Sequence, residues 1–133
     1  MQNPFGACNS WARPKNLVHH AAQRGGSRLR FLADTGAPFM INAYPYFAYK
    51  ENPSAVDLEY ALLGNVTGIH DPKGYIYNNM LDAQIDAIRL AINALGLGNQ
   101  TIEITVSESG WPSKGAPGDA AATPDNAKKH NIG

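Results

Sequence analysis

The chain has 133 residues, enough for one domain, and an apolar fraction of 44% that is ordinary for a globular protein. Eleven basic and eleven acidic residues balance, so no overall charge draws it to nucleic acid or to an anionic membrane. No apolar run approaches the roughly 18 residues of a membrane span, and a single cysteine, Cys8, excludes an internal disulfide.

The charge is unevenly placed. Arg13, Lys15, Arg24, Arg28 and Arg30 lie in residues 1–33, and every carboxylate lies from Asp34 onward. The start has no apolar core of signal-peptide length. Residues 1–28 are therefore expected to be a basic segment outside the folded unit, either disordered or foreign to the domain, in preference to an Arg-rich targeting peptide.

Leu29 to Ala33 reads as the end of a helix, stopped by Gly36 at a C′ position and by Pro38. Phe39 to Tyr44 is a mostly apolar run between Pro38 and Pro45 and predicts a buried strand. Period-two alternation puts Met40, Asn42 and Tyr44 on one face. A polar Asn on a face meant for burial needs a partner, in a hydrogen-bonded network or in a site. Tyr46 to Asn78 is long, irregular and rich in Tyr, with small elements expected inside it and Val56 to Leu63 the best candidate.

Leu81, Ile85, Ile88, Ile92 and Leu95 then recur at helical spacing and form one apolar face. Asn79 is the expected N-cap, Asp82 suits the first turn, and Asp86 and Arg89 lie on the more polar side. Gly96 and Gly98 end the helix. Ile102 to Glu108 is a β-branched strand, so strand, excursion, helix and strand make a βαβ unit with a parallel pair. Beyond a Gly- and Pro-rich loop, Thr123-Pro124 opens a last helix.

In parallel α/β folds, ligands bind beyond the carboxyl ends of the strands. One strand end presents Asn42 and Tyr44, the other Glu108. By alternation Glu108 shares the side of Ile102, Ile104 and Val106, so its carboxylate ends an apolar face. Trp111 follows in a turn between Gly110 and Pro112. A carboxylate, aromatic rings, an amide and phenols are the parts a sugar-cleaving site uses. Taken singly, each has a plainer reading: Glu108 as a solvated rim residue, Asn42 as a structural tie, Trp111 as core packing.

Glu108-Ser109-Gly110-Trp111-Pro112-Ser113, preceded by Ile104-Thr105-Val106-Ser107, resembles the signature of glycoside hydrolase family 17, the plant endo-1,3-β-glucanases and 1,3;1,4-β-glucanases. Asn42-Ala43-Tyr44-Pro45-Tyr46-Phe47-Ala48-Tyr49 is similar to a second motif of that family, and Asp82 to Ala87 resembles the helix before its nucleophile strand. The resemblance covers about Leu29 to Asn131. It implies an α/β fold, a fragment of a (β/α)8 TIM barrel comprising about strands six and seven, with residues 29–133 as a partial catalytic domain.

It further implies retaining hydrolysis of β-1,3-glucan, with Glu108 as the nucleophile. Asn42, Tyr44, Tyr46 and Phe47 would lie along the substrate cleft. Trp111 is counted with them, although support of the loop behind the nucleophile is its favoured role. No cofactor, metal or nucleic-acid partner is implied, the chain has no membrane segment, and the family places the protein outside the cell or at the wall. The sequons at Asn65 and Asn99 fit that place.

A full barrel needs about 250 residues. The family's general acid stands in a Gly-Asn-Glu context that does not occur in this sequence. Glu51 and Glu59 fall in the excursion, and Glu103 has the opposite strand parity from Glu108. His130 stands where the family commonly has Tyr. The isolated chain is thus expected to be inactive and poorly stable. A non-catalytic glucan-binding fragment and the product of an incomplete gene model are the alternatives.

Overall fold

The computed structural model describes residues 26–64, 66–71, 74–97 and 101–132. The basic segment expected at 1–28 lies outside them except for its last three residues, which open the first helix. Both sequons lie outside them at their asparagines.

Helix α1 spans Gly26–Thr35. Its end follows the glycine logic: Gly36 takes φ 70°, a left-handed conformation that costs glycine little, and Ala37 N–H closes back on Leu32 C=O at 3.1 Å. Strand β1 is short, Phe39–Asn42. The expected strand does not continue to Tyr44, because Pro45 is not a strand terminator but the first residue of a helix, α2, Pro45–Glu51. Proline suits that position, where its missing N–H would have had no intrahelical partner. Tyr44 is the residue before it, in extended conformation.

The remaining excursion is built of small pieces. Helix α3, Leu58–Ala61, falls inside the segment marked out in the sequence and is capped by Asp57, which accepts from Tyr60 N–H at 2.9 Å. Strands β2, Ile69–His70, and β3, Ile76–Tyr77, pair antiparallel. Helix α4, Met80–Ile92, begins where expected: Asn79 Oδ1 accepts from Asp82 N–H at 2.9 Å. It passes into a π-helical turn, Asn93–Leu97, that closes at Gly96 with φ 78°. Asp86 and Arg89, read as the polar side of α4, are anchors. Asp86 accepts from the Tyr77 hydroxyl of β3, and Arg89 Nη1 donates to Ile102 C=O at 2.5 Å. Burial first, and Asp86 second, push the Tyr77 phenol well above its ordinary value.

Strand β4, Ile104–Glu108, lies parallel to β1, as the βαβ pattern requires. Helix α5, Pro124–Ile132, closes the described chain, with Thr123 Oγ1 accepting from Asn126 N–H at 3.2 Å.

Two apolar clusters hold these elements. Leu29, Ile92, Leu97 and Ile102 join α1 and the end of α4 to the start of β4, with Phe39 and Ile104 packed against them. Burying each such aliphatic side chain contributes about 1.5–3 kcal/mol. Tyr46, Tyr60, Leu62, Met80 and Trp111 centre the second cluster, which joins α2, α3, α4, the loop after β4 and α5.

The sequence placed Met40 and Asn42 on the face to be buried. The structure reverses this: Ile41 is 7% exposed and Met40 60%, and Phe39, on the Ile41 side, packs against the cluster of Leu29, Ile92, Leu97 and Ile102. Among the described residues no helix is long and apolar enough to cross a membrane.

Candidate active site

The site forms at the carboxyl ends of β1 and β4. The two strands run in register from Phe39 opposite Ile104 to Ile41 opposite Val106; the next pair is Asn42 and Glu108. Ser107 is therefore an extra residue, and the pair is bulged. A bulge places two neighbours against one partner and re-aims their side chains. Both neighbours reach Asn42: Ser107 Oγ lies 2.8 Å from Asn42 Oδ1, and Asn42 Nδ2 donates to Glu108 Oε2 at 2.9 Å.

Strict alternation forbids that arrangement. Alternation set Glu108 on the side of Ile102, Ile104 and Val106, and this one-residue shift moves it off that side. Backbone bonding locks the bulge, with Ala43 N–H donating to Glu108 C=O at 2.9 Å.

Tyr44 adds a second donor. Its hydroxyl reaches the same Glu108 oxygen, Oε2, at 2.8 Å. The hydrogen bond to Glu108, and then burial, raise the phenol above its ordinary value, so it stays a donor through neutral pH. Among the described residues both side-chain donors to Glu108 converge on Oε2, which leaves Oε1 open. Phe47, one turn into α2, is 54% exposed and meets Tyr44 edge-on, with ring centroids 5.6 Å apart. Asn42, Tyr44, Phe47 and Glu108 are thus brought together.

Tyr46 and Trp111, both counted along the substrate cleft, lie buried and not at the surface of this group. Tyr46 is 6% and Trp111 7% exposed, and their rings pack edge to face at 5.3 Å. Trp111 Nε1 donates to Ala121 C=O at 2.8 Å, which closes the loop behind Glu108. A large ring with a buried, satisfied N–H supports a wall and offers no face to a ligand.

Two residues that the sequence reading passed over complete this support. Asp119 Oδ2 accepts from Tyr46 Oη at 2.5 Å and pairs with Lys50 Nζ at 3.0 Å. These two partners, Tyr46 first, hold the Asp119 carboxyl below its ordinary value. Asp119 thereby ties α2 to the loop after β4. Gly115 permits this, since a Cβ there would stand 2.8 Å from Asp119 Oδ2 and 2.7 Å from Ala122 Cβ. Its signal in the sequence was slight, because the partners are 73 residues apart.

His130 is a weak point in this support. It is 5% exposed, neither ring nitrogen meets the geometry of a hydrogen bond among the described residues, and its ring lies 5.8 Å from that of Trp111. Burial lowers its proton affinity. The native state therefore holds it neutral, whereas the unfolded chain takes up a proton near pH 6.5. Where the unfolded state binds more protons, stability falls as pH drops. Unfolding midpoints in urea are expected to fall between pH 7.5 and pH 5, and His130→Phe is expected to flatten part of that fall. An unchanged pH dependence in the variant would contradict this account of His130.

Comparisons with known proteins agree with these motifs. The sequence model described as Glycosyl hydrolases family 17 matches residues 9–132. The chain is 48% identical over 105 residues to glucan endo-1,3-beta-glucosidase 12 of Arabidopsis thaliana, covering 78% of this chain and 19% of that protein. It is 42% identical over 105 residues to glucan endo-1,3-beta-glucosidase GII of Hordeum vulgare, covering 78% of this chain and 30% of that one.

Among solved structures, a beta-1,3-glucanase and allergen of Cryptomeria japonica pollen superposes with a TM-score of 0.73 at 40% identity, over 84% of this chain and 33% of that chain. A plant beta-glucan endohydrolase superposes with a TM-score of 0.73 at 43% identity, over 84% and 35%. The chain spans between a fifth and about a third of the length of these relatives. The match of that family's model over residues 9–132 makes this chain a member of glycosyl hydrolase family 17.

Proposed function

We propose that this chain carries the nucleophile half of a retaining β-1,3-glucan hydrolase. The convergence of Asn42 Nδ2 and Tyr44 Oη on Glu108 Oε2 carries the reading. Two donors on one oxygen hold the carboxylate by Oε2 and leave Oε1 as the attacking atom. Oε1 adds to the anomeric carbon while the glycosidic C–O bond breaks, and the leaving oxygen takes a proton from a general acid. Water then displaces Glu108 by attack on the opposite face, the one the leaving group vacated, with the acid now acting as base, and the two inversions retain configuration.

β1 and β4 would be strands six and seven of a (β/α)8 barrel, whose active sites gather at the carboxyl ends of the strands. The substrate is β-1,3-glucan, by the names of the relatives. Phe47 offers an exposed ring beside the nucleophile, suited to the apolar face of a pyranose. Tyr46, Lys50, Asp119 and Trp111 hold the wall behind it. The same reading puts the protein outside the cell or at its wall.

The general acid would come from polypeptide outside the described residues. Glu59, one of the carboxylates weighed for that role, is occupied by Lys129 at 2.8 Å. Positioned general-acid help is worth roughly 10²–10⁴ in rate, so the 133-residue chain by itself is expected not to hydrolyse laminarin.

The test is a graft. Residues 29–132 replace the matching segment of the Hordeum vulgare glucosidase, and laminarin hydrolysis is measured. The reading expects an active chimera beside an inactive isolated chain. A folded chimera without activity, or an isolated chain with it, would overturn the proposal.

A further inference from the structure

We infer that Ser107 is a positioning residue whose hydroxyl fixes the orientation of the Asn42 amide against Glu108. An amide has a donor end and an acceptor end, and rotating it exchanges them. With Nδ2 toward Glu108 the contact is a hydrogen bond to a carboxylate; with Oδ1 there, two oxygens would repel. The carboxylate alone could impose the choice, but Asn42 is exposed and its amide is free to turn away toward water.

Ser107 Oγ opposes that turning when its proton lies on the amide oxygen, whereas a rotated amide would set Oδ1 against the Glu108 carboxylate. It stands 2.8 Å from Asn42 Oδ1 and 3.0 Å from Ile41 C=O, so its single proton has two acceptors on β1, the nearer being the amide oxygen. The amide is thus held at both ends, by residues adjacent in sequence. Only the bulge allows this, because alternation would send Ser107 and Glu108 to opposite faces. The bulge therefore brings the nucleophile and the group that orients its donor to one amide.

Glu108→Gln provides the probe. In the 15N-labelled full chain it shifts the Asn42 side-chain NH2 resonances, and the size of that shift reports how much of the time the amide faces residue 108. Ser107→Ala is expected to reduce it, as the oriented-to-rotated ratio falls about fivefold, the factor given by loss of one ordinary hydrogen bond. Ser107→Thr is expected to keep the shift and Ser107→Val, of the same shape without the hydroxyl, to lose it. That last pair decides the matter if the alanine variant does not fold.

Equal shifts in Thr and Val variants would overturn the inference and assign the orientation to the bulge itself. The catalytic consequence rests on Glu108 being the nucleophile, but the spectra do not. Failure of that reading appears as surviving hydrolysis in the Glu108→Gln chimera, and failure of this inference as an amide indifferent to the Ser107 hydroxyl.

Discussion

Glu108→Gln in the chimera is expected to lower laminarin hydrolysis by about 10⁴-fold or more, the scale seen when a member of a covalent catalytic unit is removed. Glutamine matches glutamate in size, and its carbonyl oxygen can still accept from Asn42 and Tyr44, so the site keeps its shape. What it lacks is the anionic oxygen that attacks the anomeric carbon. The loss should therefore fall on kcat, with KM little changed. Activity within about tenfold of the parent chimera, a difference of only 1.4 kcal/mol in barrier, would contradict the assignment.

The largest effect on folding is expected from Trp111→Ala. Removing a buried tryptophan costs about 3–5 kcal/mol through lost transfer energy and the cavity left behind. Its ring joins two helices, meeting Tyr46 at 5.3 Å and Tyr49 at 6.2 Å on α2 and His130 at 5.8 Å on α5. Ala121 C=O would lose one of two donors and keep the other, Asn126 Nδ2 at 2.9 Å. Folded domains have only about 5–15 kcal/mol in reserve, so the variant should be largely unfolded or close to it. Trp111→Phe keeps most of the packing and loses the Nε1 bond, and should cost about 1 kcal/mol more than its lost area. Urea unfolding followed by circular dichroism measures both. A loss under about 1 kcal/mol for the alanine variant would contradict the supporting role of Trp111.

Local chemistry was legible where one residue decides one structure. Asn79 caps α4, Gly36 stops α1, and the apolar spacing from Leu81 to Leu95 fixes the helix that joins two parallel strands. The Glu108 and Asn42 motifs fall at the ends of two paired strands, where the alternation of apolar runs and turns put them. Three features were not legible. Pro45 ends a strand or begins a helix with equal ease, and only the packing of Tyr46 and Ala48 against the second cluster decides for α2. The bulge at Ser107 is one residue out of register, and a period of two carries no sign of it in a single strand. The anchoring of Tyr46 and Lys50 by Asp119 depends on a contact across the loop after β4, which no local spacing encodes.

Those illegible features are the ones that make the site. Without the bulge Glu108 would share the side of Ile104, and without Asp119 the loop behind it would lose its tie to α2.

The most direct measurement of the central claim is covalent trapping. A 2-deoxy-2-fluoro β-1,3-oligoglucoside with a good leaving group slows hydrolysis of the glycosyl-enzyme more than its formation, so the intermediate accumulates. Peptide mass spectrometry of the treated chimera is expected to find the sugar on the peptide carrying Glu108, and on none in the Glu108→Gln variant. An active chimera labelled at another carboxylate would contradict the account.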